Sequence, residues 1–366
     1  MKDLLYRHFF SSWAGMTLGD WCSLLAEHQF RISFRYWPRA AFVTACASGQ
    51  SVARRWEEAR FRARWEAVSA QSPLFVLGHW RSGTTYLHQL LSLDRRFHSP
   101  TMAEVLFPHS ILTGGPMSFF MAPFLPRDRG VDRVRLGVDE PFEDEFALAI
   151  LSRVSPYLGW SFPSHDQVHE SQLTLDDPHD LARWKEAFRT LVGKLALKHD
   201  KPILLKSPPH TARVGHLLDL FPEARFVHIH RHPKDVYLST VKLLREGIDG
   251  LRLQTSDSST ISRRVIARYR RLYDAYLRER SLIPSGRLIE IGFKDLETRP
   301  IETLADVYAR LDLPHFDEVR LVIQRLVSES VRYKKNRHPP LDPETAESIR
   351  QEWETIYQTW GYELDT

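Results

Sequence analysis

Short apolar runs alternate along the chain with longer stretches whose apolar residues recur at helical spacing. Leu74 to Leu77 is wholly apolar between Pro73 and Gly78, which suits a strand buried on both faces of a parallel sheet. Similar runs end at Leu205, His230 and Ile291, and a further strand is expected to end near Phe97. Between them, Leu87, Leu90 and Leu91 follow one helical face, as do Leu181, Trp184, Phe188, Leu191, Val192 and Leu195. Further helices are expected over 257–280, 301–311, 316–327 and around Ile349 to Trp360. Strand and helix in alternation predict an α/β fold with a parallel sheet.

The start of the chain breaks this rhythm. Residues 1–66 read as helices without strands and hold five of the ten tryptophans, so the division expected is a helical N-terminal extension (1–66) and one main domain (67–366). Trp13, Trp21, Trp37, Trp56 and Trp65 lie among arginines such as Arg31, Arg35 and Arg39. Helices packed on the main domain with an arginine face to water explain this pattern best, and peripheral contact with a membrane is the second reading. Residues 111–130, rich in Gly, Pro and Phe, read as a long loop or lid, where Phe119, Phe120 and Phe124 hint at an apolar ligand.

Composition narrows the partners. Fifty basic and 46 acidic residues give a net charge of +4, a mild bias towards anionic ligands and no nucleic-acid signature. The two cysteines, Cys22 and Cys46, are too few for a disulfide framework and agree with a reducing compartment. No run of 18 apolar residues occurs, and Arg7 and His8 interrupt the apolar core that a signal peptide needs, so a cytoplasmic location is expected.

The chemistry concentrates where the first strand meets its helix, at Gly78-His-Trp-Arg-Ser-Gly-Thr-Thr85. Glycines let the backbone turn tightly round an anion, and the opening amides and dipole of the helix attract negative charge. A nucleoside-triphosphatase loop carries lysine before its hydroxyl residue. Here Thr84 holds that place and the cation sits inside the loop at Arg81.

Other strand ends carry polar groups at the same sheet edge. Lys206 closes the run before Pro208, Pro209 and His210, and Arg231 closes the run before a helix that contains Ser239. An arginine fork and a serine hydroxyl so placed can converge on one anion. Alternating His228, His230 and His232 lack a fourth ligand at a telling spacing and are read as structural. Glu104, expected beyond the end of a second strand, is either a general base or a helix-start carboxylate. A basic loop, Arg332 to His338, offers Lys334, Lys335 and Arg337 as an anion clamp.

With these stretches together, the region from about Pro73 to His338 resembles the sulfotransferases that use 3'-phosphoadenosine 5'-phosphosulfate (PAPS), in the branch of bacterial enzymes distantly similar to tyrosylprotein sulfotransferases. The resemblance implies a P-loop-like fold, a central parallel sheet of about five strands wrapped by helices. It assigns Arg81, Ser82, Gly83, Thr84 and Thr85 to the 5'-phosphosulfate, and Arg231 and Ser239 to the 3'-phosphate. Lys206 would lie near the bridging oxygen, and Lys334, Lys335 and Arg337 would cover the 3'-phosphate and adenine. Cytosolic members place a catalytic histidine where this chain has Pro208, whereas members closer to the tyrosylprotein enzymes use a glutamate after the loop helix, a region that Glu104 occupies with a small offset, so the resemblance implies Glu104 as the base, with His210 second. The implied reaction is in-line transfer of a sulfuryl group to an acceptor hydroxyl without a metal, and the aromatic residues of 111–130 and of the chain's start hint at an apolar or lipid-like acceptor. A P-loop kinase or hydrolase and an inactive nucleotide-binding adaptor are the alternatives.

Overall fold

The structure is a computed structural model that describes residues 10–69, 71–114, 137–255, 257–330 and 341–363. Two compact units emerge, one comprising residues 1–71, 99–203 and 243–258, the other 72–98, 204–242 and 259–366.

The second unit holds the sheet. Strands β1 (Leu74–Leu77), β2 (Leu204–Lys206), β3 (Arg225–His230) and β4 (Leu288–Gly292) are all parallel, in the order β2-β1-β3-β4. Four strands expected from the apolar runs are therefore present. The stretch ending near Phe97 is instead a turn: Asp94 accepts hydrogen bonds from Arg96 through backbone and guanidinium, and from the Tyr308 hydroxyl. A local Asp turn of this kind competes with strand pairing. One backbone bond, from the Leu204 amide to the His98 carbonyl, is its contact with the sheet edge.

Side chains on β1 and β3 alternate between two dry faces, as a covered parallel sheet requires. Leu74, Val76, Val227 and Ile229 pack with Leu87, Leu90, Leu304 and Val307 on one side. On the other, Phe75 stacks on Phe226 at 5.5 Å, and His228 stacks on Tyr276 at 4.3 Å and on Trp360 at 5.2 Å. Burial pushes His228 well below the usual imidazole range and His230 down to about 4, so both pack here as neutral aromatic rings.

The other unit is helical among its described residues. Its longest helices are Trp37–Ala67 and Pro178–His199, the latter started by Asp177, whose carboxylate accepts from the amides of His179 and Asp180. A buried ion pair fastens the two. Glu57 and Lys194 meet at 2.8 Å, with Lys194 also donating to the Pro108 carbonyl and lying 4.7 Å over the Trp65 ring. The second Glu57 oxygen accepts from the amides of Leu112 and Thr113, so no face of the carboxylate is wasted.

Candidate functional site

The loop after β1 is built by close approaches. Gly78 has φ +144°, and a Cβ there would lie 2.5 Å from the Ile229 carbonyl oxygen and 2.7 Å from Ser82 Oγ, so only glycine fits. Its amide donates to Thr211 Oγ1 at 2.7 Å. His79 turns inward, donating from Nδ1 to the Trp80 carbonyl at 2.8 Å, and burial lowers its pKa to about 3. Ser82 Oγ donates to the His79 carbonyl at 2.8 Å. Thus Ser82 shapes the loop through its hydroxyl.

Helix Thr84–Leu91 begins at Gly83, φ +107°, with no side-chain cap. This is the arrangement in which helix-start amides and the dipole serve an external anion. Arg81 lies between the two glycines in the left-handed region at φ +71°, a costly choice for a long side chain. That conformation lets Arg81 Nε donate to Ser239 Oγ at 2.9 Å. Ser239, buried on helix Pro233–Lys242, comes from the stretch after β3, and β3 is the neighbour of β1 in the sheet. The two motifs recognised in the sequence therefore touch.

Arg231 completes the cluster by another route. Its guanidinium meets the Asp235 carboxylate at 3.1 Å and lies 4.7 Å over the ring of Phe293. The same ring occupies the place where a Gly83 side chain would be, at 2.3 Å from the ideal Cβ. One aromatic ring thus separates Arg231 from the loop. Lys206, buried at the end of β2, is in register with Val76, two residues before the loop. Sequence reading missed Thr211 and Phe293. Thr211 follows the irregular Pro208-Pro209 turn, and Phe293 directly follows β4, positions at a strand's carboxyl end that could have drawn notice.

The two candidate bases differ in setting. His210 is fully buried in the turn Pro208–Ala212, edge-on to Phe75 with ring centroids 5.6 Å apart. Glu104 lies in the helical unit, on the short helix Met102–Leu106 rather than beyond a strand end. It closes a capping box: Thr101 Oγ1 accepts from the Glu104 amide, and Glu104 Oε2 accepts from the Thr101 amide at 3.0 Å. Its other oxygen accepts from Lys198 Nζ at 2.9 Å and pairs with His199 Nε2 at 2.7 Å. Lys334, Lys335 and Arg337 lie outside the described residues, as do Phe119, Phe120 and Phe124.

Comparison with known proteins gives the family and the fold. A family model described as "Sulfotransferase family" matches residues 73–318. The chain is 31% identical over 359 residues to the omega-hydroxy-beta-dihydromenaquinone-9 sulfotransferase Stf3 of Mycobacterium bovis, covering 97% of this chain and 92% of the relative, and a Mycobacterium tuberculosis protein of the same name matches equally. Among solved structures, sulfotransferase STF9 from Mycobacterium avium superposes with a TM-score of 0.70 at 19% identity, covering 89% of this chain and 86% of that one. Sulfotransferase STF1 from Mycobacterium tuberculosis superposes at 0.63 and 18% identity, over 92% and 94% of the two chains. The fold is theirs, and the chain belongs to the sulfotransferase family, whose members are enzymes that transfer a sulfuryl group.

Proposed function

We propose that the donor is PAPS and that the acceptor is a hydroxyl on an apolar, lipid-like molecule. The observation that carries the donor reading is the hydrogen bond between Arg81 and Ser239, since it joins the two motifs at neighbouring strand tips where one doubly anionic nucleotide can meet both. In this reading Arg81, Ser82, Gly83, Thr84 and Thr85 receive the 5'-phosphosulfate, while Arg231 and Ser239 receive the 3'-phosphate, with Lys334, Lys335 and Arg337 over the nucleotide. Arg81 must then exchange or share its serine contact when the donor enters. The acceptor class is suggested by the Stf3 relative, whose name specifies a hydroxylated menaquinone derivative.

The chemistry follows from charge. As the acceptor oxygen attacks sulfur in line, negative charge gathers on the bridging oxygen of the leaving bisphosphate. Lys206 and Arg81 stabilise it, aided by the helix-start amides at Thr84 and Thr85, and this fixed positive field supplies what a metal supplies in a P-loop kinase. Glu104 takes the acceptor's proton, its carboxylate oriented by the capping box and its charge balanced by Lys198. His210, sealed against Phe75, is the weaker base because proton transfer needs hydrogen-bond reach to the acceptor.

Calorimetry tests the donor: adenosine 3',5'-bisphosphate should bind in the presence of a chelator and ATP with magnesium should not. Magnesium-dependent ATP binding in its place would overturn the reading. Mass spectrometry of isoprenoid and fatty alcohols incubated with enzyme and PAPS should show the gain of one sulfuryl group. Transfer confined to small polar alcohols would remove the lipid-like acceptor.

A further inference from the structure

The tryptophan-rich start of the chain divides in the structure. Trp13, Trp21 and Trp65 are buried, but Trp37 and Trp56 are 58% and 53% exposed, with Phe30 at 63%, Phe34 at 80% and Val52 at 69% between or before them. Single exposed apolar residues are ordinary, whereas a concentration in one stretch calls for a cause. Phe34 and Trp37 lie against each other, ring centroids 5.3 Å apart, at the start of helix Trp37–Ala67.

The helix face that follows is unusual in lacking charge. Its exposed stripe runs through Trp37, Ala41, Ala45, Ser48 and Val52, and the only charged residue between Trp37 and Ala53 is Arg39. Arg39 is buried, donating to the carbonyls of Asp249 and Arg252. A helix face meant for water normally carries charged residues. From Trp37 to Trp56 the stripe extends about 28 Å at 1.5 Å per residue.

Charge returns only at the ends, and with one sign. No Asp or Glu occurs between His28 and Trp56. Exposed Arg31 and Arg35 flank the aromatic end, exposed Arg55 stands at the other, and none of the three has a carboxylate partner among the described residues. Aromatic rings beside unpaired arginines on an uncharged helix face are the elements of an interfacial helix, with rings at the acyl boundary and guanidinium groups at lipid phosphates. No helix among the described residues is long and apolar enough to cross a membrane. Contact with a second copy is disfavoured by charge: a two-fold interface would bring the same arginine-bearing segment, without Asp or Glu of its own from His28 to Trp56, against itself.

We propose that Phe30, Phe34 and Trp37, with the stripe to Trp56, form a docking surface for an anionic lipid bilayer. Inferred from exposure and charge alone, the surface stands whether or not the acceptor is a lipid. It also gives a lipid-like acceptor a place to be met.

Flotation of the full chain with phosphatidylcholine vesicles, with and without phosphatidylglycerol, tests the proposal with no donor or acceptor present. The protein should float with anionic vesicles only, and release should follow added salt. Phe34→Ser with Trp37→Ser should abolish flotation, and each of Arg31→Gln and Arg35→Gln should lower partitioning about fivefold. These sites are exposed, and unchanged thermal melting would confirm that the variants fold. Absence of flotation at low salt, equal binding to neutral vesicles, or binding indifferent to both sets of variants would overturn it. A dimer in sedimentation velocity that the aromatic variant dissolves would assign the face to a second copy. Sulfuryl transfer to a detergent-dispersed alcohol, measured separately, would keep failure here distinct from failure of the acceptor reading.

Discussion

Replacing Gly83 by alanine should damage stability and nucleotide binding together. Two costs add at this position. With φ at +107°, an alanine is held where L-residues are strained, at roughly 1–3 kcal/mol. Its Cβ would also fall 2.3 Å from a ring carbon of Phe293, and overpacking of a fixed aromatic costs a further 1–3 kcal/mol, for about 2–6 kcal/mol in all. Phe293 is the ring beneath Arg231, so relief of the clash must shift the loop or Arg231, the two parts that the proposed reading assigns to the nucleotide. The assay is thermal melting paired with calorimetry of adenosine 3',5'-bisphosphate. Melting should fall by at least about 2.5 °C, since at about 2.1 cal/mol/K per residue each kcal/mol corresponds to about 1.3 °C in a chain of 366 residues. Binding should weaken at the same time. Adding Phe293→Ala should recover the clash portion but not the backbone portion, a coupling of about 1–3 kcal/mol in a double-mutant cycle. If Gly83→Ala melts and binds like the parent, the loop is not pressed against Phe293, and the juxtaposition of the two motifs fails with it.

Other substitutions probe separate parts of the argument. Arg231→Ala should remove a charge-assisted contact worth roughly 1.5–3 kcal/mol, weakening the bisphosphate about 10- to 150-fold by calorimetry; unchanged affinity would detach this residue from the 3'-phosphate. Glu104→Gln should cut turnover by about two to four orders of magnitude while sparing nucleotide affinity, and near-normal turnover would move the base elsewhere. Acid should destabilise the helical unit through His28, which stacks on Phe162 at 3.7 Å and lies 3.1 Å from His169 Nε2. Burial, then the neighbouring His169 and His165, lower its pKa from 6.5 to about 3. The unfolded chain therefore binds the proton first, so stability is full above pH 6.5 and falls towards pH 3 at up to about 1.4 kcal/mol per pH unit. Melting followed from pH 7 to pH 4 should show at least that slope, and His28→Gln should reduce it by the share of one group, since burial also lowers His109 and His169 in the same unit.

Legibility in the sequence followed the strength of local signals. The strands were visible because a sheet covered on both faces demands unbroken apolar runs, and Leu74–Leu77 and residues 203–205 comply. The tight loop between β1 and its helix was visible because glycine spacing and a helix start leave a fixed signature. The region before Glu104 misled, since parallel-sheet logic called for a strand where Asp94 had already fixed a turn. The better signal was present: Thr101-Met-Ala-Glu104 has the spacing of a capping box, which the structure contains. Phe293 could not be found by motif, because its importance lies in meeting Gly83 across the fold. The tryptophans divided for a similar reason, as composition cannot say which face of a helix is covered.

Moving the cation from the helix start to Arg81 alters what the loop can read. A lysine in place of Thr84 would extend from the first turn towards a phosphate chain held along the same loop. Arg81 instead rises from a left-handed residue and reaches sideways, over the β1–β3 boundary, to Ser239. The backbone cost of about 1–2 kcal/mol is comparable to the gain from one charge-assisted hydrogen bond, so the contact with Ser239 offsets much of it. A doubly anionic donor would tip that balance by giving the guanidinium a stronger acceptor. In the proposed reading the strained residue would then stand between the two anion pockets, and a ligand bearing one phosphate cluster would engage only one of them.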